Sequence, residues 1–110
     1  MKNIMNTMNL VKKAQEVQGE ITIIQKKLAD TSVTGKASNG AVQIQMTAKL
    51  VPQAVKVDPT VLKQTDAETL EDLILVALKD AKKQADDALT EAFNDLKKRY
   101  NLPDNFDMFS

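Results

Sequence analysis

Leu70, Ile74, Ala77, Ala81, Ala85, Ala88, Ala92 and Leu96 recur at intervals of 4, 3, 4, 4, 3, 4 and 4 residues. Such intervals stay on one face of a straight α-helix, so they predict a single helix over residues 66–99. At 1.5 Å per residue it is about 50 Å long. A compact monomer of 110 residues cannot cover a rod of that length, which points to a dimer. The alanines in the middle of the stripe let a neighbour approach closely. Thr65-Asp66-Ala67-Glu68 reads as a capping box at its start. Asp58-Pro59 just upstream reads as an N-cap followed by proline at N1, which opens a short helical turn over 59–63.

A second periodic stretch lies at the other end of the chain. Leu10, Ala14, Val17, Ile21, Ile24 and Leu28 are spaced 4, 3, 4, 3 and 4 residues apart, the seam of a heptad pattern. It predicts a helix over 6–30 whose narrow apolar face packs in the core or against a second copy. Lys12, Lys13, Lys26 and Lys27 lie off the seam. Gly19 within it costs the helix about 1 kcal/mol relative to alanine.

Between the helices the period drops to two. Val42, Ile44, Met46, Ala48 and Leu50 alternate with Gln43, Gln45, Thr47 and Lys49, which predicts a half-buried strand with the second set facing solvent. Asn39-Gly40 before it predicts a two-residue hairpin turn, with Ser32–Ser38 as the preceding strand. Pro52 marks a second turn, and Ala54–Val57 reads as a third strand. The expected architecture is one α+β domain: an N-terminal helix, a three-stranded antiparallel meander over 32–57, the short helical turn, the long helix and a tail over 101–110, assembled as a dimer.

Composition narrows the chemistry. The chain has no Cys and no His, which removes disulfides, thiolate metal sites, and the commonest base and metal ligand. Its three glycines cannot build a phosphate-cradling loop, and no Ser or Thr has a His partner, so an enzyme, a cofactor and a small-molecule substrate are not expected. The opening "MKNIMNTMNLV" lacks the apolar run of a signal peptide, and no stretch is long enough to span a membrane. A soluble, cytoplasmic protein is the expectation.

The net charge of zero conceals a division. Residues 1–57 carry eight lysines and three acids, whereas residues 58–110 carry seven basic and twelve acidic residues. From Thr31 to Val57 there are three lysines, Lys36, Lys49 and Lys56, and no carboxylate. A polar strand face without acids can approach a phosphate backbone unopposed; strands also avoid Asp and Glu for reasons of propensity alone. Asp86, Asp87, Glu91 and Asp95 crowd one stretch of the long helix. A hard cation wants about six oxygens around it and a helix face offers a row, so the reading is a solvated face in which Lys82 and Lys83 pair along the helix. Lys97-Lys98-Arg99 suits either a helix C-terminus or phosphate contact. The tail "NLPDNFDMFS" carries Leu102, Phe106, Met108 and Phe109, apolar anchors that dock on a neighbour or fray.

Taken in order, "VKKAQEVQ", "VTGKASNGAV", "VKVDPTVL", "ETLEDLILVALKDA" and "LPDNFDMF" resemble the YbaB/EbfC family of bacterial nucleoid-associated proteins over nearly the whole chain. The resemblance implies a helix–three strands–helix protomer, a homodimer with helices projecting like tweezers, a place in the nucleoid, and binding of double-stranded DNA with little sequence preference. Lys12 matches a basic residue usual on the family's first helix. Three features depart from the pattern. Lys36 stands where an acid is common after "VTG". The glycine-rich flanks of the hairpin are reduced to Asn39-Gly40. Gln53 and Ala54 occupy positions where arginines are common. With one arginine in the chain, bidentate reading of guanine is nearly excluded. The candidate DNA contacts are therefore Lys12, Lys13, Lys26, Lys27, Lys36 and Lys49, directed at phosphates. A dimeric protein-interaction scaffold is the alternative.

Overall fold

The computed structural model describes residues 2–102, with side chains from Met8 onward. The chain runs α1 (Lys2–Ala29), β1 (Ser32–Ala37), β2 (Val42–Thr47), β3 (Pro52–Val57), α2 (Pro59–Gln64) and α3 (Ala67–Arg99). The three strands form one antiparallel sheet in the order β1-β2-β3. The α+β class and the element order match the expectation from sequence. The molecule is elongated, 76 × 22 × 19 Å, because α3 spans 33 residues, about 50 Å, and the N-terminal part of α1 runs on past its end.

Each helix start has a local cause. Asp58 caps α2, its carboxylate accepting from the Thr60 amide at 2.9 Å, with Pro59 at N1 where its missing N–H is not needed. Asp66 caps α3 by accepting from the Thr69 amide at 2.8 Å. The expected capping box does not form: the Thr65 hydroxyl donates to the Val61 carbonyl at 2.6 Å instead, closing α2. The cap hydrogen bonds favour the charged form, so both Asp58, held chiefly by the Thr60 amide, and Asp66, held by Thr69, sit below the usual carboxylate range.

The turns differ from their sequence reading. Ala37 pairs with Val42, so the hairpin loop is the four residues 38–41. Ser38, Asn39 and Gly40 all take positive φ, at 52°, 56° and 90°. The second turn falls at residues 48–51, with Leu50 at φ 67°. Pro52 opens β3, where a proline costs no ladder hydrogen bond. The alternation puts Thr47 toward solvent, yet it is buried, its hydroxyl oxygen accepting from the Lys49 and Val51 amides at 3.2 Å each. The same alternation puts Leu50 inward, yet it is exposed. A bulge between Gln45 and Met46 places Ala54 and Pro52 opposite them, leaving Gln53 as the extra residue.

Two apolar clusters share α3. The first joins Ala37, Val42, Ile44 and Met46 of the sheet to Ala77 and Ala81. There the helix lies so near β1 that a Cβ on Gly35 would strike the Ala77 carbonyl oxygen and the Ala81 amide; only glycine fits. The second joins Val17, Ile24 and Leu28 of α1 and Ala48 to Phe93 and Leu96. The expected apolar stripe of α3 is the buried one, but Phe93, outside the stripe, is buried with it. Of the α1 seam, Val17, Ile24 and Leu28 are buried and Ile21 is half-buried, while Leu10 and Ala14 are exposed.

Candidate nucleic-acid interface

Strand register places the sheet's polar face. Val33, Gly35 and Ala37 pair with Met46, Ile44 and Val42 on the side packed under α3. The residues between them must point away, which assembles Thr34, Lys36, Gln43, Gln45, Ala54 and Lys56 on the open side. Lys36 is opposite Gln43, and Gln43 is opposite Lys56. The two ammonium-bearing residues therefore flank an amide in one row, two strand spacings or about 10 Å apart. No carboxylate belongs to this face. Lys56 is not among the candidates drawn from sequence: the Asn39-Gly40 hairpin sets Lys36 opposite Gln43, but Lys56 joins the row only through the β2–β3 pairing with its bulge.

The other candidates lie elsewhere. Lys49 is exposed in the turn after β2, at the opposite end of the sheet from Lys36. The Ala48 amide donates to the Thr31 carbonyl at 2.9 Å, and this brings that turn to the end of α1 that carries Lys26 and Lys27. Lys12 and Lys13 are about 14 residues earlier on the same helix, roughly 21 Å away along its axis. The structure thus groups Lys26, Lys27 and Lys49 at one end, pairs Lys36 with Lys56 at the other end of the sheet, and leaves Lys12 and Lys13 on an arm of α1.

Among the described residues, none of these seven lysines takes part in an ion pair. The acids are engaged differently. Lys82 reaches Asp86 at 2.7 Å and Lys83 reaches Asp87 at 2.8 Å, the pairing along the helix expected from sequence. The bond to Asp87 raises the Lys83 ammonium above its usual range. Arg99 bridges Glu20 of α1 at 3.3 Å and Asp95 at 3.8 Å. Asp80 accepts from the Lys36 amide at 2.9 Å, and the Gln84 amide donates to the Thr34 carbonyl at 2.8 Å. These two side chains cover the outer edge of β1, an arrangement invisible in the sequence because it depends on where α3 lands. Asp80 thus approaches the segment without carboxylates only along its backbone edge.

An open cleft of about 840 Å³ separates α1 from the second half of α3, lined by Lys27, Thr31, Asp87, Glu91, Asp95 and Lys98 among others. Three carboxylates against two lysines make it a poor seat for a polyanion. Among the described residues no three His, Cys, Asp or Glu side chains gather as a metal site would require. None of the described helices is long and apolar enough to cross a membrane.

A long helix laid over a three-stranded sheet, with an acid-free strand face and lysines outside any ion pair on the sheet and first helix, is the frame of a small basic-faced binding protein. The YbaB/EbfC DNA-binding family model matches residues 1–99, and the chain belongs to that family. A nucleoid-associated protein of Paramagnetospirillum magneticum is 37% identical over 101 residues, covering 92% of this chain and 94% of its own. One from Bartonella tribocorum is 36% identical over 99 residues, covering 90% and 92%. The crystal structure of an uncharacterized protein, HP0035 from Helicobacter pylori, shares the fold with a TM-score of 0.68 at 24% identity, over 79% of this chain and 92% of that one.

Proposed function

We infer that the protein is a homodimeric, nucleoid-associated DNA-binding protein that grips the phosphate backbone with little sequence preference. The observation that carries this reading is the division of charge. The carboxylates of Asp58, Asp66, Asp80, Asp86 and Asp87 are engaged in caps, the β1 edge and helix pairs, while Lys12, Lys13, Lys26, Lys27, Lys36, Lys49 and Lys56 are left for an outside anion. Lysine is a point charge that reads no base edge bidentately, which supports contact with phosphates over contact with bases. The two relatives' names place them in the nucleoid, and the same location is proposed for this chain.

Dimerisation is supported by apolar surface that one protomer leaves open. Val55 of β3, Leu62 of α2 and Leu75, Val76 and Leu78 of α3 are between 42% and 60% exposed, although Val55 is on the same side of the sheet as buried Ile44. A second copy covering these residues would complete the half-built layer beneath α3 and point two α1 arms outward.

The test is fluorescence anisotropy of a labelled duplex of about 30 base pairs across a salt series, alongside sedimentation equilibrium. The expected Kd is about 1–100 μM near physiological salt. Replacing Lys36 and Lys56 with glutamine should flatten the log–log salt slope by about one for each phosphate no longer neutralised. Absence of binding at low salt would overturn the DNA reading and leave the protein-interaction scaffold. A monomer at micromolar concentration would overturn the dimer.

A further inference from the structure

Helices α1 and α3 run antiparallel. Leu28 and Thr31 lie across the cleft from Ala88 and Ala92, and Glu20 meets Arg99. Where α3 ends at Arg99, α1 continues past it for more than a dozen residues. Among the described residues, the seam that buries Val17, Ile24 and Leu28 therefore runs on without a neighbour through Ala14 and Leu10, the latter 66% exposed.

The chain leaves α3 at this point. Asn101 takes φ 53°, and the Leu102 amide donates to the Lys97 carbonyl at 2.8 Å, the reversal that closes many helix C-termini. Leu102, the last described residue, packs against the cluster that contains Val17 and Ile21, on the α1 side of α3. Residues 103–110, "PDNFDMFS", bring Phe106, Met108, Phe109 and two carboxylates, Asp104 and Asp107. Eight extended residues reach about 26 Å, whereas Leu10 is only about 10 Å beyond Val17 along α1. Lys13 borders the open seam, and the stretch from Met8 to Glu16 carries two lysines and one acid.

We propose that residues 103–110 dock on the free N-terminal half of the α1 seam of their own protomer. Phe106, Met108 and Phe109 cover Leu10 and Ala14, and Asp104 and Asp107 face Lys13. Length, exit point, the continuity of the seam and opposite charge all select this occupant. The proposal does not depend on the DNA reading.

The chain has no cysteine, so Ser110→Cys gives one site for a nitroxide label in the full-length protein. Isotope-labelled, spin-labelled protein is diluted into an excess of unlabelled protein, and amide signals are compared with the label oxidised and reduced. The expected result is loss of most of the signal for residues 9–14, which returns when Phe106, Met108 and Phe109 are replaced by serine. Unaffected arm signals would overturn the proposal. So would broadening that disappears on dilution, since it would come from another protomer's tail. Broadening that survives the three serine replacements would equally overturn it, because the apolar anchors would then not hold the tail.

Discussion

Along the first half of α3 the helix meets the sheet through Ala77 and Ala81, with Gly35 beneath them; along the second it meets α1 through Phe93 and Leu96. One stripe of one helix is thus packed in two ways. Over the sheet, backbone presses on backbone, and the fit is set by what is missing from the side chains. Over α1, large side chains fill a wider gap. A close-packed interior responds to added volume at the first place and to removed volume at the second. The same substitution therefore has different consequences a few turns apart.

The largest effect should come from Gly35→Ala, a single methyl driven into the backbone of α3. It should abolish the cooperative unfolding transition, measured by far-UV circular dichroism in urea, whereas alanine at Gly19, with nothing within 4 Å, should stabilise by about 1 kcal/mol. Leu96→Ala should cost about 2–5 kcal/mol, since Leu96 is 0% exposed. Its urea midpoint should fall with the slope unchanged. Ala81→Leu should destabilise by about 1–3 kcal/mol or more; a neutral result would show that the sheet packs more loosely on α3 than Gly35 implies.

The smallest effects belong to the caps at the sheet end of α3 and α2. Because the folded Asp58 and Asp66 carboxylates titrate below their unfolded values, their stabilisation is fully present above about pH 4. It is lost as pH falls through the lowered folded values. Asp66→Ala should lower the Tm at pH 7, and the difference from the parent should shrink as pH falls below about 4 and the folded carboxylate is protonated. Asp66→Asn should keep most of the Tm, since asparagine caps well.

How much of this could be read in the chain follows from range. The α3 stripe, the α1 seam, the Asp58-Pro59 cap and the alternation of Val42 to Met46 are local periodicities, and they foretell their elements. Leu50 and Thr47 escape the alternation because a turn after Thr47 inverts it, and no nearby glycine announces the positive φ at Leu50. Phe93 escapes because it faces α1, so its burial depends on a second helix. The candidate lysines are legible as residues of a segment poor in acids. Their grouping is not, since it needs the register that sets Lys36, Gln43 and Lys56 in line and the Ala48–Thr31 hydrogen bond that joins the sheet to α1.

Asp80 and Gln84, which occupy the Lys36 amide and the Thr34 carbonyl, have a consequence for how the protein ages in a crowded cell. A sheet grows into a fibre only if each newcomer offers a fresh edge to the next. Here β1 is sealed by two side chains of the protein's own helix, and β3 alone is bare among the described residues. A strand that joins β3 finds no continuation on the far side, so stacking of this kind is a chain reaction without a propagation step.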